Sequence, residues 1–102
     1  MNEEPKQKSA IGLLYEAGRA PTVSSKGFGE LADEIIKAAQ EKGILIHKDE
    51  ALAKTLSHLE LGEEIPKELY YVIAELIAFS YVLRGKFPPG WQDFHGKLNI
   101  KA

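Results

Sequence analysis

TVSSKGFGELADEIIKAAQEKGILI, residues 22–46, decides the fold. Thr22-Val23-Ser24-Ser25 has the composition of a short strand, and Lys26-Gly27-Phe28-Gly29 turns it into a helix. Leu31, Ala32, Ile35, Ile36 and Ala39 then recur at helical spacing, which predicts a helix to about Lys42. Glu30, Asp33 and Glu34 lie early in it and Lys37 and Lys42 late, the order that suits the helix dipole. Gly43 supplies a left-handed stop. Ile44-Leu45-Ile46 follows as a continuous apolar run, the pattern of a buried strand. Strand, helix and strand in this length form a βαβ unit, so the two strands are expected to run parallel.

Working outward, Ser9-Ala10-Ile11-Gly12-Leu13-Leu14-Tyr15 reads as a strand, and Gly12 within it signals a bulge or a close backbone approach. Ala17-Gly18-Arg19-Ala20-Pro21 is turn chemistry, so this strand and the next form a hairpin. Downstream, Asp49 is an N-cap for a helix carrying Leu52, Leu56 and Leu59, stopped by Gly62. Ile65-Pro66 opens a last helix with Leu69, Ile73, Leu76, Ile77 and Ser80 along one side, reaching about Arg84. The order β-β-α-β-α-α gives an α/β domain: a small mixed sheet of about three strands flanked by helices. One sheet edge is expected to be open. The division expected is a flexible leader over 1–8, the domain over 9–84 and a tail over 85–102. Phe87, Trp91 and Phe94 are the tail residues able to dock.

The 102 residues hold 13 basic and 15 acidic side chains, a net charge of −2 with no basic stripe, which excludes a nucleic-acid footprint. Cysteine is absent, and with it disulfides, thiolate metal sites and cysteine nucleophiles. The longest mostly apolar run, Val72 to Leu83, is broken by Glu75 and is shorter than the ~20 residues of a membrane helix. His47, His58 and His95 are spaced too widely for a helical metal pair, and no metal or cofactor is expected. His47 is a strand-end residue within reach of Asp49. Gly27-Phe28-Gly29 is an incomplete dinucleotide fingerprint: position 32 is alanine, which is sometimes accepted, but no strand-end acid follows in a ribose-reading context, and Asp49, near the expected distance, serves as a helix cap. No Gly-x-Ser-x-Gly elbow and no P-loop occurs. Glu75 either marks an outer stripe or meets a distant cation, the first being the simpler reading.

Several stretches carry a resemblance in order: Ala10 to Tyr15, Ala20-Pro21-Thr22-Val23 with Lys26-Gly27, Ile44 to Ile46, Leu52-Ala53, Leu61 to Pro66, Leu69-Tyr70, and Ala74 to Phe79. From about Ala10 to Leu83 the chain resembles the cytoplasmic C-terminal domain of the flagellar and type III secretion export-switch family (FlhB and YscU). That family's domain hangs below a membrane segment, receives export substrates and switches the apparatus between substrate classes. It cleaves itself at Asn-Pro-Thr-His. The corresponding positions here, Pro5-Lys6-Gln7-Lys8, match none of the four, so self-cleavage by that route is not expected.

The resemblance implies a non-enzymatic, stand-alone counterpart of the fragment after the cut, with its first strand's edge waiting for a partner. The implied place is the cytoplasm, at the inner face of the membrane export gate. Implied partners are export substrates and export-gate proteins, with the membrane reached only through them. Ala20, Pro21, Ala74 and Ile77 correspond to the family's substrate-docking patch, while Ala74 and Ile77 also fit a core face by spacing. Two other readings stay open: a small nucleotide- or phosphate-binding enzyme using Lys26 to Gly29, and weak self-association through a sheet edge.

Overall fold

The computed structural model describes residues 8–16, 18–83 and 96–102. Four strands form one sheet: β1 (Ser9–Tyr15), β2 (Thr22–Phe28), β3 (Leu45–Lys48) and β4 (Gly96–Lys101), in the spatial order β2-β1-β4-β3. The helices are α1 (Glu30–Glu41), α2 (Glu50–Leu56) and α3 (Tyr70–Leu83), the last preceded by a 3₁₀ turn over Lys67–Leu69.

β1 runs antiparallel to both β2 and β4, and β4 runs parallel to β3. β2 and β3 therefore point the same way, as the βαβ pattern requires, but two strands stand between them. One of these, β4, comes from the region read as a tail. It fills the flank of β1 expected to be open, so the first strand has a partner on each side. The sheet's outer strands are β2 and β3. This also corrects the buried reading of Ile44 to Ile46: β3 is a four-residue edge strand whose Leu45, Ile46 and His47 are half-buried. Phe87, Trp91 and Phe94, the proposed docking aromatics, lie outside the described residues, as do residues 1–7 of the leader.

The two faces of the sheet differ in side-chain size. On one, Ile11, Leu13, Tyr15, Val23, Leu98 and Ile100 pack against Leu52 and Leu56 of α2 and Ile73 and Ile77 of α3. Leu59 joins them from the turn beyond α2, which ends earlier than its spacing predicts. On the other face α1 lies over small residues. A Cβ at Gly27 would come within 2.7 Å of Leu31 Cγ and Ile35 Cδ1, so glycine sets how closely the helix approaches the sheet.

Local signals at the helix ends act as read. Gly43, at φ 68°, ends α1 with its amide donating to Gln40 O at 3.1 Å and Ile44 N donating to Ala39 O at 2.9 Å. These two bonds are the Schellman pattern and satisfy carbonyls the helix leaves over. Asp49 Oδ1 accepts from Leu52 N at 3.0 Å and starts α2.

Candidate functional site

The turn carrying Ala20 and Pro21 is stitched to the lead-in of α3. Pro21 O accepts from Ile65 N at 2.9 Å, Val23 N donates to Glu63 O at 3.0 Å, and Gly62 N donates to Val23 O at 2.7 Å. With the bridge between Thr22 and Glu64, residues 62–65 lie along the outer edge of β2 and cover its first half. Gly62 makes this possible by turning at φ 85°, and the carboxylate of Glu63 accepts from Glu60 N at 2.9 Å to hold the turn. Ile65, next in line, is buried and shares the core with Ile73 and Ile77. The turn and the helix are thus tied through one residue.

Of the four docking residues implied by the resemblance, Ala20, Pro21 and Ala74 are half-buried, leaving part of each accessible. Ile77 is 8% exposed and belongs to the core cluster. It supports the patch from below more than it lines it.

The outer side of α3 offers more apolar surface than any of these. Tyr71 is 78% exposed, and Phe79 and Val82 are more than half exposed, on a helix that is apolar nearly all round. Such a helix is ordinarily covered on every side. Periodicity could not single these residues out, because α3 has no polar face to contrast with the buried one. Glu75 is exposed on this side, as the simpler reading held. It accepts a hydrogen bond from the Tyr71 hydroxyl one turn earlier. That bond, and then the carboxylate's negative charge, raise the Tyr71 pKa above its ordinary 10.0.

The phosphate reading of Lys26 to Gly29 meets a different geometry. Lys26 Nζ donates to Leu59 O at 2.9 Å and Ser57 O at 3.4 Å, capping carbonyls beyond the end of α2. The space above Gly27 is filled by Leu31 and Ile35. Of the four residues in that stretch, Lys26 and Gly27 already hold the fold. His47 Nε2 stands 3.8 Å from Asp49 Oδ2, while His58 is exposed in the turn after α2. His95 lies outside the described residues. Among the described residues no three His, Asp or Glu side chains converge as metal ligands, and no helix is long and apolar enough to cross a membrane.

The fold and surface together define a small mixed α/β domain that presents an apolar helix face beside a stitched turn. The chain belongs to the FlhB HrpN YscU SpaS family, whose model matches residues 6–80. It is 36% identical over 85 residues to YlqH of Bacillus subtilis (strain 168), covering 81% of this chain and 91% of that protein. It is 32% identical over 80 residues to the flagellar biosynthetic protein FlhB of the same organism, covering 76% of this chain and 22% of FlhB. FlhB of Aquifex aeolicus (strain VF5) is 37% identical over 73 residues, 69% of this chain and 21% of the relative. The chain spans about a fifth of these FlhB relatives and nearly all of YlqH. No solved structure matches it.

Proposed function

We propose that the chain is a non-enzymatic protein-binding domain of the flagellar or type III export machinery. It receives export substrates or export-gate proteins in place of the switch protein's cleaved C-terminal fragment, in the cytoplasm at the inner face of the gate. The observation that carries this reading is the family match over residues 6–80, which takes in β1, β2, β3, α1, α2 and most of α3. The surface supports it: Ala20, Pro21 and Ala74 are accessible beside a helix whose Tyr71, Phe79 and Val82 lack cover among the described residues. A short apolar segment of a disordered substrate fits such a surface better than it fits a catalytic cleft.

The test is photo-crosslinking in the host cell from positions 20 and 74, together with deletion of the gene. Recovery of export substrates or gate components, with altered export or motility on deletion, is the expected result. Recovery of neither, with export and motility unchanged, rejects the proposal.

A further inference from the structure

On the α1 face of the sheet, Ser25 of β2, Gly12 of β1 and Asn99 of β4 stand side by side in one row across three strands. Gly12 leaves a notch between its neighbours. The Ser25 hydroxyl nearly takes the place of the missing Cβ, with Asn99 Oδ1 3.0 Å and Ser24 Oγ 3.2 Å from that point. Both serines reach this side because the register slips between Gly12 and Leu13, leaving Ser24 as the extra residue of a β-bulge. Bulges recur where a strand must re-aim a side chain.

Asn99 is the unusual member. It is 6% exposed, and no donor among the described residues reaches its buried Oδ1. An orphaned acceptor in mid-sheet is costly, and natural sheets seldom keep one without a use. It borders a half-open cleft of about 250 Å³ that also includes Lys42 at the end of α1 and Lys97 of β4. Both lysines are exposed, and neither has a carboxylate partner among the described residues. The cleft thus combines an acceptor that needs a donor, two hydroxyls able to bond either way, and two solvated cations at its rim that can face an anion.

We propose that this cleft binds a small oxyanion carrying its own hydroxyl, a hydrogen phosphate or a hydroxycarboxylate. When the serine side chains at the notch turn aside and uncover it, Asn99 Oδ1 accepts from the hydroxyl, and the charge faces Lys42 and Lys97. The two halves select together. A bare anion leaves Asn99 unsatisfied, and a neutral alcohol leaves the lysines without a counter-charge. The site lies across the sheet from the core that holds Ile65, Ile73 and Ile77, so it stands whether or not the export reading does.

Two matched pairs test it by calorimetry and amide NMR on the full chain at pH 6.5: inorganic phosphate against sulfate, and lactate against propionate. The members of each pair are alike in shape: lactate differs from propionate by one hydroxyl, and phosphate differs from sulfate by its hydroxyls and by a smaller negative charge at this pH, which works against the expected preference. The expected result is about tenfold tighter binding of the hydroxyl-bearing member in at least one pair. That binding should also shift the Asn99 side-chain amide. Discrimination in the first pair alone identifies a phosphate site and in the second alone a hydroxycarboxylate site. Asn99→Leu should abolish the discrimination and raise the melting temperature of the unliganded protein. A Lys42→Ala/Lys97→Ala variant, altered only at exposed positions, should weaken phosphate and lactate while leaving the melting temperature unchanged. Equal binding within both pairs, no binding in either, or unchanged binding in the double-lysine variant overturns the proposal.

Discussion

The amide of Ile65 donates to the carbonyl of Pro21 at 2.9 Å, so a buried core residue fixes the loop that carries Ala20 and Pro21, half of the proposed docking patch. Ile65 is 2% exposed, and truncating it to alanine removes core contacts as well as the anchor of residues 62–65. Ile65→Ala should cost about 2–4 kcal/mol in denaturant unfolding. Amide exchange should accelerate at Val23, whose partner is Glu63 O, before it does in β4. Equal acceleration across the sheet would show that the turn is held by other means.

Ala74 and Ile77 stand one turn apart on α3 and should behave differently. Ala74 is half-buried, and Ala74→Glu should leave the chain folded while reducing capture of export partners at least about fivefold, roughly 1 kcal/mol of binding. Ile77→Asp places a charge in the core and should unfold the domain, giving loss of capture with loss of the circular dichroism signal. If Ala74→Glu binds as the parent does, the patch is not used.

Gly27 and Gly43 make two different demands for glycine. Gly27 is crowded by Leu31 and Ile35, so Gly27→Ala pushes α1 away from the sheet and should cost about 1–3 kcal/mol. Gly43 has open space around it but turns at φ 68°, so Gly43→Ala should cost about 1 kcal/mol through backbone strain alone. Replacing Ile35 by valine in the Gly27→Ala background should recover part of the first loss and none of the second, read by thermal melting.

The Tyr71–Glu75 pair has a definite pH signature. The fold favours the protonated phenol, so whatever the pair contributes is present below the ordinary tyrosine pKa of 10.0. It is lost as pH rises through the raised folded value. The pair lies at the surface, where such contributions are small, so the titration itself is the readout. NMR of ring-labelled tyrosine should give Tyr71 a pKa above 10.0, and Glu75→Gln should bring it down toward that value. An unmoved midpoint would mean that Glu75 does not touch the phenol in solution.

How much of this was legible beforehand depended on how local each signal was. Gly43 and Asp49 act through their own neighbours, and both helix ends followed from residue type and position. β4 did not. Lys97-Leu98-Asn99-Ile100-Lys101 alternates as a strand should, but it is short and follows a stretch rich in proline and glycine. Its partners, β1 and β3, come from distant parts of the chain. Without it, β1 is left with a free edge and the apolar run of β3 reads as interior. The proposed docking residues came from the family resemblance, and spacing alone could not separate the half-buried Ala74 from Ile77 in the core. The exposed face of α3 was hidden for a related reason: a helix apolar on all sides does not say which side is left bare. Gly12 was readable as a close approach, though not what approaches it. The orphaned Asn99 appears only once three strands are side by side.

β4 places residues from opposite ends of the sequence next to each other, as Gly12 and Asn99 are paired. During synthesis the β1–β2 hairpin can form early, but β3 pairs only with β4, so among the described strands it has none to join until residues 96–101 have been made. Until then β1 exposes a full row of backbone donors and acceptors, the kind of edge that recruits foreign strands. The nascent chain is therefore most vulnerable just before β4 arrives, and losing β4 would leave β3 without a strand to pair with.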